Sequence, residues 1–500
     1  MNRVRTGLLA PLAVRAVTIS AFAIGTLAAG FVEPVGAASD ASAILKRAGV
    51  TMGAEGLQTL SYAAEGNGYT FGQAFSPGNH WPRIMIHGMT RTINYETGSM
   101  REQITLSRAE PKGGGGYPLS GQQTNDQYLS GTHAWNVAGG NPVAGPRFIS
   151  ERVHQLWVTP HGALKAAQKN GATVDFVTEK GRSLAAIRFS EPGRLQATVY
   201  LNTENIVERV ESRYPDAVLG ETDAVTRYSE YREAGGIRFP GRISQSIGGH
   251  PVLDVIVTRV EPNASAAISL PDAVKSASER VTTDKVSDGV WFVSGGSHNS
   301  VVIEMKDHLV LVEAPLNDGR TGPVLEAVKK LAPGKPIRYV VNSHAHFDHS
   351  GGVRAAVAEG ATIVTQAGNK AYLEKAFATR GKIAPDLLTQ SGKKAKFMLV
   401  KDSRRLTDGK RVIELHRFHG SVHSDTMLLA YLPAEKLLIE ADAYTPGAAP
   451  QTAAPNANNI NLVENVERLK LQVERILPLH GRVVPVADLY TAAGRGTPAK

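Results

Sequence analysis

Four side chains that can bind metal ions lie close together in the C-terminal half of the chain: His344, His346, Asp348 and His349. They follow residues 337–341, an apolar and β-branched run that predicts a β-strand. Because alternate side chains of an extended segment share one face, His344, His346 and Asp348 are expected to converge just beyond the strand. His349 then points away from them and could serve a second metal ion.

Imidazole and carboxylate groups together bind borderline divalent cations, so zinc is the first expectation and iron or manganese are the alternatives. A single histidine is more often a surface or core residue than a ligand, and this chain contains 15 of them. The chance occurrence of three histidines and an aspartate in this frame is on the order of one in a thousand. The motif therefore predicts a metal site at the end of a strand.

The residues around the motif predict alternating strands and helices. Three short apolar runs precede it at hairpin-like spacing, at 289–293, 300–304 and 309–313. The run 323–331 has apolar residues at helical spacing and is followed by a Pro-Gly pair, while 353–357 predicts a helix after the motif. This order of elements predicts a layered α/β domain.

The pattern His-x-His-x-Asp-His after a strand resembles the metallo-β-lactamase superfamily, and the resemblance covers residues 286–486. It implies an αββα sandwich at the C-terminus, with further metal ligands on later loops. The segment Gly-Ser-Val-His-Ser-Asp-Thr precedes a strand-like run and is similar to the third motif of the family, which implies that His423 is a ligand. Val422 stands where the family commonly has glycine, and His416 and His419 are nearby alternatives.

Two later segments contain the remaining ligands that the resemblance implies. Asp442 ends a strand-like run and resembles the acidic residue that bridges two metals in many members, although in others the bridge is water alone. His480, within Leu-Pro-Leu-His-Gly, resembles the closing motif, and Glu313 stands where members often have a structural acidic residue. The implied sites share Asp442 and are otherwise separate: His344, His346 and His423 for one ion, and Asp348, His349 and His480 for the other.

A centre of this kind implies hydrolysis. Two zinc ions about 3.5–4 Å apart can hold and activate one hydroxide, so no serine or cysteine nucleophile is needed. Asp348 is the expected catalytic residue, because it would orient the hydroxide and take up its proton. Tyr444 is a candidate oxyanion donor, with a purely structural role as the alternative, and Asp425 and Ser424 are expected to support His423.

The N-terminal half, residues 39–263, differs in texture from the C-terminal half. Its many short β-like runs predict a mostly antiparallel, β-rich domain of the α+β class. The strongest strand signals lie at 195–212 and 228–260, and two Gly-Gly pairs in the second run predict hairpin turns. This second run resembles the curved antiparallel sheets of lipoprotein-carrier-like periplasmic proteins.

Glycine and asparagine are frequent between residues 113 and 145, which predicts long loops. The glycine run 113–116 could instead form a phosphate cradle, but no Lys-Ser or Lys-Thr pair follows it. Residues 264–283 are rich in Asn, Ala, Ser, Pro and Thr and predict a linker, which makes 284–495 the predicted catalytic domain.

Residues 1–38 predict a cleaved signal peptide. Three arginines precede or open an apolar stretch at 16–31, and small residues at 35–38 suit a signal peptidase. A membrane anchor is the alternative, but the stretch is interrupted and lies near the lower limit of the ~17–25 residues that span a bilayer. We therefore expect a bacterial protein that is periplasmic or secreted, without stable membrane insertion after leader removal.

Composition narrows the chemistry further. The chain has no cysteine, which excludes disulfides, thiolate ligands and a thiol nucleophile. Its formal charge of +9 is spread along the chain without a run of five basic residues, so no nucleic-acid partner is expected. A small-molecule substrate is the expected partner, and the sequence makes no prediction of the oligomeric state.

The leading hypothesis is an exported metallo-hydrolase that cleaves an ester, lactone, amide or related bond of a small molecule. The resemblance does not fix the substrate, because specificity lies in loops around a shared centre. Three alternatives remain open: a β-lactamase of the cysteine-free type, an enzyme that binds one iron and oxidises sulfur compounds, and a non-enzymatic periplasmic binding protein with a vestigial metal domain.

Overall fold

The computed structural model describes residues 35–114, 121–447 and 455–496. The predicted signal peptide lies outside the described residues up to residue 34, as do Gly115 and Gly116 of the glycine run. Among the described residues, no helix is both long enough and apolar enough to span a bilayer.

The N-terminal region, residues 35–262, contains three helices and fifteen strands within its described part. The helices are α1 (Val35–Met52), α2 (Ile149–Trp157) and α3 (Pro160–Lys169), and a 3-10 turn spans Pro146–Phe148. The strands are β1 (Thr59–Tyr69), β2 (Arg83–Asn94), β3 (Ser99–Arg108), β4 (Gln123–Ser130), β5 (His133–Ala138), β6 (Asn141–Ala144), β7 (Thr173–Glu179), β8 (Arg182–Glu191), β9 (Leu195–Leu201), β10 (Val207–Asp216), β11 (Gly220–Ser229), β12 (Arg232–Ala234), β13 (Ile237–Phe239), β14 (Arg242–Ile247) and β15 (His250–Pro262).

Thirteen of these strands form one sheet in the order β6-β5-β4-β3-β2-β1-β15-β14-β11-β10-β9-β8-β7, and β12 and β13 pair separately. Each pairing in the sheet is antiparallel, which confirms the predicted β-rich class. Alternate strand residues such as Leu60, Val199 and Val210 are buried with Ala48 of α1 and Leu164 of α3 in one apolar core. The sheet therefore buries one face under its own helices.

A Gly-Gly pair forms the predicted hairpin turn between β14 and β15. Gly248 and Gly249 have φ angles of 58° and 84°. Two successive left-handed residues match the twist of the flanking strands, and glycine adopts them without steric cost.

The predicted long loop up to Gly145 is wrong, because β4, β5 and β6 occupy residues 123–144. Tyr128 and Trp135 are cross-strand partners, and their rings stack with centroids 5.0 Å apart. Trp135 is 2% exposed. One aromatic pair thus stabilises a hairpin whose frequent turn residues suggested irregular structure.

Residues 263–281 connect the two regions and include the short helix α4 (Asp272–Lys275). The C-terminal region begins at β16 and continues to residue 496. Its helices are α5 (Asp318–Leu331), α6 (Phe347–Ser350), α7 (Val353–Glu359), α8 (Lys370–Ala378), α9 (Leu387–Ser391), α10 (Ala457–Arg468) and α11 (Val486–Ala492), with a 3-10 turn at Ala367–Asn369. Its strands are β16 (Thr282–Ser287), β17 (Val290–Ser294), β18 (Ser300–Glu304), β19 (Leu309–Val312), β20 (Ile337–Val341), β21 (Thr362–Gln366), β22 (Lys396–Val400), β23 (Ser403–Thr407), β24 (Val412–Arg417), β25 (Leu428–Leu432), β26 (Leu437–Glu440), β27 (Arg475–Pro478) and β28 (Val484–Pro485).

These strands form two sheets, β16 to β22 and β23 to β28, each in chain order. Val301 and Ile303 of β18 belong to a core shared with the second sheet, whereas Val302 belongs to a core shared with α5 and α7. Strands buried on both faces explain the continuous apolar runs of the sequence. The arrangement is the predicted αββα sandwich.

The helix predicted at 323–331 begins earlier, at Asp318. Asn317 caps it, because its side chain accepts a hydrogen bond from the backbone N–H of Arg320 at 3.0 Å. Strands β19, β20 and β21 are parallel, so their carboxyl ends lie at one edge of the sheet. The His344–His349 segment follows β20 at this edge.

Candidate metal centre

The His344–His349 motif changes conformation at His346, which corrects the predicted extended geometry. His346 precedes α6 with an extended backbone, and the Ser350 N–H donates to the His346 carbonyl at 2.8 Å. Asp348 and His349 therefore lie on a helical turn. Asp348 does not share a strand face with His344 and His346, because residue alternation ends where the helix begins.

Three imidazoles form the first ligand group. His344 Nε2 lies 2.9 Å from His346 Nδ1 and 3.2 Å from His423 Nε2. His346 Nδ1 and His423 Nε2 are 2.9 Å apart. His344 and His346 follow β20, whereas His423 comes from the loop between β24 and β25. All three side chains are buried.

Hydrogen bonds outside this triangle fix which nitrogens carry protons. The Ser343 hydroxyl donates its single proton to Glu313 Oε2, so Ser343 Oγ must accept from His344 Nδ1 at 3.0 Å. His346 Nε2 lies 2.9 Å from the Ala74 carbonyl, which only accepts, so His346 must donate from Nε2. Both His344 Nε2 and His346 Nδ1 therefore present lone pairs to the centre of the triangle.

This arrangement fits a divalent cation. Burial, followed by the neighbouring His349 and His346, lowers the pKa of His344 well below its ordinary value. Burial, followed by His423, lowers the pKa of His346 to about 3. Neutral imidazoles whose lone pairs face each other repel one another, and a cation between them removes that repulsion.

The second ligand group consists of Asp348, His349, His480 and His298, whose ligand atoms all lie within 4.8 Å of one another. His480 Nε2 lies 3.0 Å from His349 Nε2, and Asp348 Oδ2 lies 3.7 Å from His349 Nε2 and 3.1 Å from His298 Nε2. The group combines loops that follow β17, β20 and β27. A carboxylate surrounded by imidazoles is a donor set that zinc accepts.

Asp442 lies between the two groups. Its Oδ2 is 2.8 Å from His349 Nε2 and 3.4 Å from His344 Nε2, while its Oδ1 is 3.2 Å from His480 Nε2. Burial raises the pKa of Asp442, but His349, His423 and His480 outweigh it and hold that pKa well below the usual range. An ionised carboxylate that touches both groups can bridge two cations.

The carboxylates also act on His349 and Asp348. Burial lowers the pKa of His349, yet Asp442 and Asp348 together raise it well above its ordinary value. Burial raises the pKa of Asp348, yet His349 and the hydrogen bond from His298 bring it well below its ordinary value. The two carboxylates thus favour positive charge at His349, and a bound cation would supply such charge.

His298 is a site residue that the sequence analysis missed. It is 3% exposed, burial lowers its pKa to about 4, and its ring lies 4.1 Å from that of His480. Asn299 fixes this loop, because its side-chain amide donates to the carbonyls of Pro478 and Gly481. The available signal was a histidine between two predicted strands, but no spacing rule connects it to the motif.

Glu313 has a larger role than the structural one implied by its position. It is fully buried, and its Oε2 accepts from the Ser343 hydroxyl and lies 3.0 Å from His349 Nδ1. Its backbone is left-handed, with φ at 76°, a conformation that costs a non-glycine residue about 1–3 kcal/mol. The fold therefore holds a strained residue directly behind the ligands.

The other sequence candidates lie apart from the ligands. The alternatives to His423 face elsewhere: His416 Nε2 is 3.5 Å from Glu414, and the His419 backbone bonds to residues of α10. Tyr444 is 4% exposed and lies in the core of the sandwich. This position fits a structural role for Tyr444, the alternative to an oxyanion donor.

Asp425 was expected to support His423, but its carboxylate accepts from the Ser76 hydroxyl of the N-terminal region at 2.6 Å. Ser424 lies next to Thr426, with the two hydroxyls 3.2 Å apart. Support for His423 comes instead from Ser421, whose hydroxyl accepts from the His423 backbone N–H at 3.1 Å.

Residues 293–480 match the family model of the metallo-beta-lactamase superfamily. The C-terminal half of the chain therefore has the metallo-β-lactamase fold, as the His-x-His-x-Asp-His motif predicted. The chain matches no curated protein sequence.

Several metallo-β-lactamases are among the solved structures that are similar to this chain. The enzyme from Pontibacter korlensis is 17% identical with a TM-score of 0.34, and the match covers 43% of this chain and 98% of that one. FIM-1 from Pseudomonas aeruginosa, in its mono-zinc form, is 20% identical with a TM-score of 0.34, covering 43% and 95%. The enzyme from Hirschia baltica is 22% identical with a TM-score of 0.33, covering 43% and 96%.

Proposed function

We propose that this protein is an exported hydrolase that holds two divalent cations, zinc first among them, and cleaves an ester, lactone, amide or related bond of a small molecule. One observation carries the proposal: His344 Nε2 and His346 Nδ1 present lone pairs to each other at 2.9 Å, with His423 beside them. A buried arrangement of this kind is unfavourable without a cation.

Two ligand groups favour two cations over the single iron of a sulfur-oxidising enzyme. In the first group, His344, His346 and His423 would each contribute one nitrogen. In the second, Asp348, His349 and His480 would contribute a carboxylate and two imidazoles, and the Asp442 carboxylate touches both groups. This assignment retains every ligand that the sequence motifs suggested.

The bound cations would supply Lewis acidity and a water activated for attack at neutral pH. Asp348 would orient the attacking water and take up its proton, because its carboxylate lies beside His298 and His349 of the second group. The low pKa of Asp348 keeps this carboxylate ionised, so it can bind a cation and accept a hydrogen bond from water. His298 would hold it in place and would itself remain neutral, since burial lowers the pKa of His298 to about 4.

Export to the periplasm or beyond is part of the proposal and rests on the leader-like composition of residues 1–38. A small molecule is the proposed substrate, and β-lactams are among the candidates to be tested.

The test begins with purification of the full chain without chelators, followed by elemental analysis. Chromogenic lactone, ester, cephalosporin and phosphodiester substrates are then screened. We expect about two zinc ions per chain and turnover of at least one substrate, lost on chelation and restored by zinc. A folded protein without metal and without turnover contradicts the proposal, and one tightly bound iron per chain favours the redox alternative.

A matched pair of double variants separates a working centre from a vestigial one. His346→Ala with Asp348→Ala removes one ligand from each group. His308→Ala with Asp307→Ala removes a histidine–aspartate pair, 2.7 Å apart, outside the ligand groups. Only the first pair should abolish turnover, and equal activity of both would mean that the metal centre is not catalytic.

A further inference from the structure

The N-terminal region reaches the metal centre through the β1–β2 loop, residues 70–82. The carbonyl of Gly72 accepts from the Phe347 N–H at 3.2 Å, and Phe347 is the residue between the ligands His346 and Asp348. Rings of the loop enclose the Phe347 ring, with centroid distances of 5.3 Å for Phe71 and 5.9 Å for Trp81. The loop therefore packs on the motif itself.

Gln73 of this loop contacts a ligand directly. Its Nε2 donates to Asp348 Oδ1 at 2.8 Å. The other oxygen of Asp348, Oδ2, faces His298 at 3.1 Å and His349 at 3.7 Å. The Gln73 bond thus fixes the rotation of the carboxylate so that Oδ2 points at the second ligand group.

Ala74, the next residue, acts on the first ligand group. Its carbonyl accepts the proton of His346 Nε2 at 2.9 Å, which leaves His346 Nδ1 unprotonated toward His344 and His423. A partner of this kind sets the tautomer and ring orientation of a metal-binding histidine. Two successive residues of the N-terminal region therefore each support a different ligand group.

A second segment holds this loop in place. The Gly114 N–H donates to the Gln73 carbonyl at 3.0 Å, and the Gly113 N–H donates to the Val422 carbonyl, next to His423, at 2.8 Å. A side chain at position 114 would lie 2.8 Å from His346 Cε1 and would collide with the Gln73 amide. Glycine is required here because the backbone approaches the ligands so closely.

We propose that Gln73 and Ala74 of the β1–β2 loop complete the metal centre and that Gln73 is the positioning residue that aims Asp348 at the second cation. The inference rests on the proposed function, since it requires that Asp348 binds a cation. It assigns a role to the N-terminal region, which supplies groups that complete a site built by the C-terminal region.

The two regions could pack against each other without the contacts that Gln73 and Ala74 make with the ligand groups. Ser76 donates to the Asp425 carboxylate at 2.6 Å, and the Asp425 N–H donates to the Phe75 carbonyl at 3.0 Å. These bonds join the same loop to the C-terminal region without touching the ligand groups. Ser76 is therefore the matched control for Gln73.

The test compares the full-length wild type with Gln73→Met and Ser76→Ala. Methionine keeps the volume of glutamine but removes the donor to Asp348. Each metal-free protein is titrated with zinc against a competing chelator, and the cobalt(II) forms are compared by visible absorption, which reports the ligand geometry. Circular dichroism verifies that each variant is folded.

We expect Gln73→Met to weaken the second zinc equivalent by about 10–100-fold, in the range usual for groups that orient ligands. The first equivalent should keep its affinity, and the cobalt spectrum should change in the second-site component. Ser76→Ala should match the wild type in both measurements. In Gln73→Met, kcat should fall more than KM rises, because a positioning residue affects the reaction more than substrate binding.

The outcomes distinguish this inference from the proposed function. If the wild type binds two equivalents and Gln73→Met binds both with unchanged affinity and an unchanged cobalt spectrum, the inference is wrong and the hydrolase proposal stands. Equal weakening in Gln73→Met and Ser76→Ala also overturns it, because docking alone would then explain the effect. A wild type that binds no divalent cation overturns both proposals.

Discussion

His349 Nδ1 lies 3.0 Å from Glu313 Oε2, and both side chains are completely buried. The same oxygen accepts from the Ser343 hydroxyl, which in turn accepts from His344 Nδ1. One carboxylate therefore orients an imidazole in each ligand group, directly for His349 and through one hydroxyl for His344.

Glu313→Gln should consequently weaken both zinc equivalents, each by about tenfold or more. The amide keeps the shape of the side chain but loses the charge that holds the His349 and Ser343 protons. Zinc titration of the metal-free protein measures the effect. Glu435→Gln is the control, because Glu435 is a glutamate with little exposure that pairs with Arg411. Loss of a single equivalent would contradict the shared role of Glu313.

His298→Ala should reduce the affinity of the second equivalent and lower kcat at least tenfold on any substrate that the wild type accepts. The reason is that the Asp348 carboxylate loses its contact with His298 Nε2, which lies 3.1 Å away. His308→Ala removes another buried histidine, 5% exposed, and should leave both properties unchanged. If His298→Ala bound zinc with wild-type affinity, His298 would not be part of the metal site.

Gly114→Ala should impair zinc binding without unfolding the protein, because the added methyl group would meet His346 and Gln73. We expect a loss of about tenfold or more in zinc affinity, measured by the same titration. Gly88→Ala is the matched control, because Gly88 lies on β2 and a methyl group there would meet no atom within 4 Å. If both variants bind zinc with wild-type affinity, the close approach of residue 114 to His346 does not affect metal binding.

Two buried histidines of the N-terminal region should make the protein less stable in mild acid. Burial lowers the pKa of His154 to about 3 and that of His161 to about 4. The unfolded chain binds a proton at each near pH 6.5 while the folded chain does not, so stability falls as the pH drops below about 6.5. Between pH 7.5 and 5 each histidine should cost about 2 kcal/mol.

Denaturant unfolding at the two pH values, on metal-free protein, checks this expectation. His154→Gln should lose less stability on acidification than the wild type, by about 2 kcal/mol. His154 Nε2 bonds to Ser212 Oγ at 2.7 Å. Ser212→Ala breaks that bond but keeps the imidazole, so it should retain the acid sensitivity of the wild type. A His154→Gln variant with the wild-type difference between pH values would disprove the assignment.

Most of the C-terminal region could be predicted from local sequence. The runs at 300–304 and 337–341 are strands with those bounds, because strands buried on both faces are continuously apolar. The motif predicted the fold, and the structure places six of the predicted ligands in the two groups, with Asp442 between them. Helix α6 was missed because four residues are too few to show a helical period.

Residues that approach the site from distant parts of the chain could not be predicted in this way. Gln73 lies 275 residues before Asp348, and His298 lies 50 residues before it. Neither belongs to a spaced motif. Gln73 reaches the site through the packing of the two regions, and His298 through the packing of its loop against residues 478–481. The glycines at 113 and 114 predicted only a long loop, because glycine is favoured both in loops and where backbones pack closely.

The central position of β1 in the sheet affects the order in which the protein can fold. β1 pairs with β2, which follows it closely, and with β15, in which Pro262 is opposite Leu60. During synthesis, one edge of β1 stays unpaired until the ribosome has added β15, and such an edge can capture foreign strands. Contacts of this sequence separation form slowly. The loop that carries Gln73 leaves β1 directly, so its final position is reached only late in folding.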